Sequence, residues 1–425
     1  MLNKTLMISG LRLAGASIQF LFNLLIAKSL GADGVGGYYL FLATMMGLAV
    51  FAKFGFEHAA VKAVSSFNIS GDSSGQKNIW GHYLVAASIS SITVIFVYML
   101  VLHGVLRHFD LVSAGKTAIV ASLFLYVALI VNCSVLRGLK KPVVASTLEE
   151  LLLPLVNVTA LSLFFLIEDI TISVLYKNYM IALSIVMLVS FIYLLSSFNS
   201  VPRLVMTRAE LKEIFVVASP FLGIASLTYA YNWAGTWVVK YYLDLADVGI
   251  YNLSWRLVAI SAFVSVAIRS ISAPYFASAH AEGDYQLLQK KAVQASMLFI
   301  AFSTPVLSVL YIFSDVILGV FGEDFERGSI VIRTMIIGQA VVALCGPVGY
   351  LLMMCGEEKK YVRITFVSTV ITIVSAIILT KNHGIIGAAA GFSLGIGFQA
   401  VVAWLVVYKY LKITCAPFGG RRSHG

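Results

Sequence analysis

The sequence predicts an all-α, polytopic membrane protein of about 12 transmembrane helices, arranged as two pseudo-equivalent six-helix lobes. Three observations carry this prediction: an apolar, charge-poor composition, a series of long charge-free runs, and motifs that recur half a chain apart. Of the 425 residues, 60% are hydrophobic and only 12% charged, whereas an average soluble domain carries about 25% charged residues. A soluble globular protein is thereby excluded.

Ten stretches of 17 or more residues contain no Asp, Glu, Lys or Arg, among them Gly34 to Ala52, Thr117 to Leu136, Asn178 to Pro202, Ile214 to Val239, Ala292 to Ser314 and Asn382 to Tyr408. Each can cross a hydrocarbon core that needs roughly 20 helical residues. Two further apolar stretches are interrupted by arginine: Thr5 to Ala27 by Arg12, and Val248 to Ala281 by Arg256 and Arg269. Helices are expected in place of a β-barrel, because the runs are continuous and do not alternate in segments of about 10 residues. The first run reads as a span and not as a cleaved leader, since it is too long and Lys28-Ser29-Leu30-Gly31 offers no small-residue cleavage pattern.

The formal charge of +10 is a topology signal, because Lys and Arg concentrate in cytoplasmic loops. With both termini inside, the inner segments collect nineteen basic residues, from Lys4, Lys53, Lys62 and Lys77 through Arg137, Lys140, Lys141 and Arg203 to Lys409, Lys412, Arg421 and Arg422. The outer loops hold five: Lys28, Arg107, Lys116, Arg327 and Lys381. This asymmetry predicts an inner-membrane (plasma-membrane) protein with both termini cytoplasmic, and it removes nucleic acid as a partner. Cys133, Cys345, Cys355 and Cys415 form no CxxC pair and read as small apolar residues. The longest connection, Lys53 to about Asn78, is too short for a folded soluble domain, so function must lie within the helical bundle.

The motif Ala32-Asp33-Gly34-Val35-Gly36-Gly37-Tyr38-Tyr39-Leu40, between spans one and two, resembles Ala246-Asp247-Val248-Gly249-Ile250-Tyr251-Asn252-Leu253, between spans seven and eight. A second echo links Leu136-Arg137-Gly138-Leu139-Lys140-Lys141 with Cys355-Gly356-Glu357-Glu358-Lys359-Lys360. Together they predict duplication of a six-span unit, with lobes at 1–205 and 206–425. Six is even, so the repeats are parallel.

An ionisable side chain inside a span is a functional candidate, because it costs a few kcal/mol to place there. Arg12, Gln19 and Asn23 share one face of span one at i, i+7 and i+11. Arg12 either faces the bundle interior or snorkels to the inner headgroups. Arg256 lies about two turns into span eight, beside Trp255 and one turn from Asn252; it too faces a cavity or snorkels. Arg269 reads as an inner-surface anchor, and Arg333 is ambiguous. In span seven, Tyr229, Trp233, Thr236 and Lys240 recur at i, i+4, i+7 and i+11, beside Tyr231 and Asn232. Tyr229 and Trp233 suit stacking on sugar rings, whereas Trp237, Lys240, Tyr241 and Tyr242 read as an outer aromatic belt. Spans one, seven and eight contain no carboxylate. Glu149 and Glu150 alone approach a span interior, where Arg137, Lys140 or Lys141 could pair with them. A net positive interior fits an anionic cargo, since guanidinium presents forked donors to phosphate oxygens.

Two other patterns carry no chemistry. Gly115-Lys116-Thr117 has the end of a phosphate-binding loop, but the first glycine falls on Asp110. His58, His82, His103 and His108 show no metal-ligand spacing.

The Ala-Asp-x-Gly-x-Tyr turn, its copy, and Tyr251-Asn252-Leu253-Ser254-Trp255-Arg256-Leu257-Val258 running to Pro274 and then Gly283-Asp284-Tyr285 resemble polysaccharide biosynthesis membrane proteins. These are the lipid-linked oligosaccharide (O-antigen) flippases of the multidrug, oligosaccharidyl-lipid and polysaccharide exporter superfamily. The resemblance implies two six-helix lobes around a central cavity and translocation of a polyprenyl-diphosphate-linked oligosaccharide for surface polysaccharide synthesis. The substrate-binding set would be Arg12, Gln19, Asn23, Tyr229, Trp233, Asn252 and Arg256. No catalytic residue, metal or cofactor is expected. The implied partners are the lipid-linked oligosaccharide, membrane lipids, other polysaccharide-assembly proteins, and H+ or Na+ as a coupling ion. The rival readings are a multidrug or organic-cation antiporter of the same superfamily, which core carboxylates would favour, and a membrane glycosyltransferase or polymerase, which needs catalytic acids in a larger loop.

Overall fold

The structure is a computed structural model that describes residues 2–70, 73–104, 113–198, 202, 204–413 and 415. Of the residues singled out in the sequence, Arg107, His108, Asp110, Arg203, Arg421 and Arg422 lie outside the described residues. So do the side chains of Lys4, His103, Arg269 and Pro274.

The described residues are helical almost throughout. Among the described residues, nine helices are long and apolar enough to cross a membrane. Two of them are too long for one crossing. Helix α1 (Leu2–Lys53) has 52 residues, and at about 1.5 Å per residue it would extend to more than twice the roughly 30 Å hydrocarbon core. It turns at Gly31 (φ 62°, ψ −164°), a backbone region that an L side chain resists and glycine tolerates. The 49-residue helix at Glu358–Val406 turns in the same way at Gly384 (φ 59°, ψ −143°). Each is therefore two spans, which makes eleven. The 37-residue helix at Leu245–Ala281 is the twelfth, and the chain is a multi-pass membrane protein.

After α1 come α2 (Phe56–Ser70), α3 (Ser73–Gly104), α4 (Ser113–Gly138), α5 (Pro142–Phe164), α6 (Ile172–Phe198), α7 (Arg208–Tyr242) and α8 (Leu245–Ala281). Then follow α9 (Tyr285–Ile312), α10 (Ser329–Cys345), the short α11 (Val348–Met354) and α12 (Glu358–Val406). The chain packs as two compact units: residues 1–30 with 37–232, and residues 31–36 with 233–425.

Within the first unit, the connection expected as a loop from Lys53 to Asn78 carries α2. Its Phe56, Ala59, Ala60 and Val64 are fully buried, at i, i+3, i+4 and i+8, the spacing of one helical face. That face rests on α3 and α4. Buried side-chain hydrogen bonds staple the spans. The Trp80 indole donates to Asn132 Oδ1 (2.9 Å), and Asn132 Nδ2 donates to Ser190 Oγ (2.9 Å). Asn178 Nδ2 donates to the Asn157 carbonyl at 3.1 Å. With no water in hydrocarbon to satisfy them, such groups find partners on neighbouring helices. Pro220 in α7 removes the donor that would serve the Val216 carbonyl, and the Ser219 hydroxyl takes that carbonyl instead, at 3.0 Å.

In the second unit the two echoing motifs meet. A Cβ on Gly36 would lie 1.8 Å from the Leu245 carbonyl oxygen, and one on Gly249 would lie 2.2 Å from the Ala32 carbonyl oxygen. The contact is reciprocal: each glycine sits against the residue four positions before the other glycine. Hydrogen bonds follow the same offset. In the first unit the Tyr39 hydroxyl donates to Asn23 Oδ1 (2.6 Å), and in the second the Thr236 hydroxyl donates to Asn252 Oδ1 (3.0 Å); both pairs lie 16 residues apart. One sequence offset relates Asn23 to Thr236, Ala32 to Leu245, Gly36 to Gly249 and Tyr39 to Asn252. In α12, small residues let helices close: Gly395 sits against Thr372, and the Ser393 hydroxyl donates to the Thr334 carbonyl at 2.6 Å.

Candidate functional site

The charged centre of the first unit is built by a proline. Pro154 has no N–H, so the Glu150 carbonyl, four residues earlier, loses its helical donor. Helix α5 responds with a π-helical turn over Thr147–Leu152, in which the Leu153 N–H reaches back five residues to the Leu148 carbonyl. Such turns insert one extra residue into a helix and recur at functional sites. The Glu150 carbonyl then presses on α1, where a Cβ on Gly15 would lie 1.6 Å from it. Glycine at position 15 is what lets the two helices approach there.

The same turn aims two consecutive carboxylates at guanidinium groups on two different helices. Arg12 Nε donates to Glu150 Oε2 at 2.7 Å. Arg137, in the last turn of α4, makes a close ion pair with Glu149 Oε2. The Arg12–Glu150 pair is the more accessible, with side chains 45% and 23% exposed against 32% and 16% for Arg137 and Glu149. A third pair, Lys53 with Glu57 at 2.7 Å, lies in the same unit, with the Lys53 ammonium 5.8 Å from the Tyr126 ring centroid. Of the partners expected for the two glutamates, Arg137 is used. Lys141 instead donates to Ser197 (3.2 Å) and lies over the Tyr193 ring. The Arg12–Glu150 pair was missed in the sequence because the two residues are 138 positions apart.

The other predicted binding residues divide by burial. Asn23 and Asn252 are 4% and 5% exposed and are engaged in the interspan hydrogen bonds described above. Asn252 Nδ2 also donates to the Val248 carbonyl at 2.9 Å. Tyr229 is half-buried; its hydroxyl donates to the Ala43 carbonyl (2.8 Å), with the ring end over Gly47. Gln19, Trp233 and Arg256 are half-buried. Arg12, Gln19, Asn23 and Tyr229 belong to the first unit, and Trp233, Asn252 and Arg256 to the second. Arg333 pairs with Asp315 at 2.5 Å, on the connection that precedes α10. Tyr241 and Tyr242 are exposed and pack edge to face at 4.9 Å. Gly115-Lys116-Thr117 sits in the first turns of α4, not in a loop. No group of three or more metal-ligating side chains occurs among the described residues.

Twelve apolar spans in two compact units, with guanidinium groups set inside helices, define a membrane transporter fold. The chain belongs to the polysaccharide biosynthesis protein family, whose model matches residues 1–280. The MatE family model matches residues 220–378. A curated relative from Haloferax volcanii, named probable low-salt glycan biosynthesis flippase Agl15, is 26% identical over 178 residues, 41% of this chain. That alignment spans 37% of the relative's own length. Among solved structures, the inward-facing conformation of a multidrug resistance MATE family transporter of the MOP superfamily is similar at a TM-score of 0.78 and 16% identity, over 95% of this chain and 98% of that one. The outward-facing conformation of such a transporter gives 0.65 at 17% identity, over 96% and 95%. A MOP superfamily transporter from Pyrococcus furiosus gives 0.63 at 16% identity, over 96% of this chain and 95% of that one. These similarities establish the shared fold.

Proposed function

We propose that this protein is a flippase that moves a polyprenyl-diphosphate-linked oligosaccharide from the cytoplasmic to the outer leaflet of the plasma membrane, for assembly of a surface polysaccharide. The observation that carries the reading is membership of the polysaccharide biosynthesis family together with Arg12 and Arg256, each in a span that contains no carboxylate of its own. A guanidinium there offers charge-assisted, forked hydrogen bonds to phosphate oxygens. The flippase name of the Haloferax volcanii relative agrees.

Arg12 is the anion-binding group of the first unit and Arg256 that of the second. Gln19, Tyr229 and Trp233 offer amide and aromatic surface to sugar rings, while Asn23 and Asn252 hold the spans that carry the arginines. Both termini face the cytoplasm, as the nineteen-to-five split of basic residues requires. The reading involves no covalent step. Its test is deletion of the gene followed by analysis of lipid-linked intermediates. Accumulation of a diphosphate-linked oligosaccharide, cleared by the wild-type gene but not by Arg256→Ala, is expected. No accumulation, with altered drug sensitivity in its place, would favour a multidrug antiporter and overturn the reading.

A further inference from the structure

We propose that Glu150 is a built-in stand-in for the cargo's phosphate, occupying Arg12 until an incoming diphosphate displaces it. The inference rests on the flippase reading and assigns to that site a residue of the opposite charge, on α5, that the candidate binding set does not include.

Three features of the first unit carry it. The first is geometry. Arg12 is in direct contact with Glu150, Nε to Oε2 at 2.7 Å, so an anion cannot take that edge of the guanidinium without breaking the pair. The second is how the pair is set up. Glu149 and Glu150 are consecutive, and the π-helical turn over Thr147–Leu152 sends them to separate helices, Glu149 to Arg137 on α4 and Glu150 to Arg12 on α1. The Glu150 main chain is fixed by the contact of its carbonyl with Gly15. Releasing the Glu150 side chain therefore leaves both the backbone seat and the deeper Arg137–Glu149 pair in place.

The third feature is strength. Arg12 and Glu150 are 45% and 23% exposed, and a partly exposed ion pair is weak. A phosphate group, with more charge and several acceptor oxygens, makes the stronger partner for a guanidinium. The exchange is then favourable but reversible. When the diphosphate leaves, Glu150 recaptures Arg12, so the guanidinium faces an anionic group both before and after transport. Glu150 thus speeds release as well as weakening capture.

The test is binding of geranylgeranyl diphosphate to the purified full-length protein in detergent, for wild type, Glu150→Gln, Glu150→Asp and the double variant Arg12→Gln/Glu150→Gln. Removing a competitor worth up to about 1 kcal/mol tightens binding roughly fivefold, so E150Q is expected to bind about that much more tightly. E150D, which keeps the competing carboxylate, stays near wild type and confirms that the site is folded. The double variant loses the gain. In cells, E150Q complements the deletion less well despite binding more tightly, a split that a merely structural role would not produce. Inorganic pyrophosphate that competes with the lipid probe assigns the exchange to the phosphates; failure to compete overturns it. If the wild type binds and E150Q binds equally or more weakly, the exchange is wrong and the flippase reading stands. If no variant binds the probe, both fall.

Discussion

Substituting Gly36 by alanine adds one methyl group at the place where the two repeated motifs touch. The new Cβ would lie 1.8 Å from the Leu245 carbonyl oxygen and 2.8 Å from its carbon, where about 3.5 Å is the closest comfortable separation. The obstacle is backbone, and no rotamer change can relieve it. The two segments must separate by more than 1 Å, which places the cost near the upper end of the overpacking range, about 3 kcal/mol. Gly249→Ala meets the mirror-image obstacle, 2.2 Å from the Ala32 carbonyl oxygen, and should cost a similar amount. One separation relieves both clashes, so the double variant should cost clearly less than the two single costs combined, with a coupling of at least about 1 kcal/mol. Gly10→Ala is the reference, because nothing lies within 4 Å of its Cβ position; in a helix interior it should gain roughly 0.5–1 kcal/mol. Thermal unfolding in detergent measures all four. Loss for G36A and G249A, gain for G10A and sub-additivity in the double variant are expected. A G36A protein as stable as wild type, or strictly additive losses, would refute the reciprocal contact.

Other consequences can be checked more briefly. Gly15→Ala places a Cβ 1.6 Å from the Glu150 carbonyl oxygen, so it should push α5 from α1, break the Arg12–Glu150 pair and destabilise the protein by about 2–3 kcal/mol in the same melting assay. Asn132→Leu leaves the buried Trp80 indole N–H and Ser190 hydroxyl without their partner and should cost about 1–3 kcal/mol, whereas Asn132→Asp/Trp80→Phe controls separate packing from hydrogen bonding. The exposed Asp315 carboxyl is held below its ordinary range by the Ser329 hydroxyl and then by the Arg333 guanidinium. A lowered folded value gives stability that is present above the ordinary aspartate pKa and lost as pH falls through the folded one. The stability difference between wild type and Asp315→Asn should therefore be seen at neutral pH and vanish in strong acid; a difference that persists there would contradict the pairing.

The number of spans was legible because it depends on composition over long windows, and a charge-free run of 20 residues has few alternatives in a chain this apolar. The turns at Gly31 and Gly384 could be placed only approximately. At each, two helices meet across a single residue with non-helical, positive-φ backbone, so nothing but a lone glycine marks the turn. Helix α2 was hidden for a different reason. Its polar face carries Glu57, Lys62, Ser65 and Ser66, which reads as loop composition, and only the spacing of Phe56, Ala59, Ala60 and Val64 gives it away. The repeated Ala-Asp and Gly-Tyr motifs were visible as similar strings. That they pack against one another, glycine to carbonyl in both directions, is a consequence of the fold that similarity alone does not contain.

The arginines show where a search by residue type stops. Arg12 and Arg256 stand out because charge inside a span is costly and rare, and the sequence delivers them at once. What a side chain is doing depends on its partner, and for Arg12 that partner lies 138 positions away on a helix whose register has been shifted. The shift has a readable cause. Pro154 frees the carbonyl at Glu150, and the helix absorbs the defect by a π turn that rotates the residues before it relative to those after it. A straight α-helix would set two adjacent carboxylates about 100° apart along a regular spiral. With the extra residue, one meets α1 and the other α4. A glutamate pair four to five residues before an intrahelical proline is therefore a signal in its own right: the proline loosens the segment on which the acids stand, and a glycine on the facing helix, here Gly15, is needed to receive the released carbonyl. Reading those three residue types together would have pointed to the Arg12–Glu150 contact, whereas counting charges per span, which recorded an excess of arginine in span one, could not see the acid that answers it.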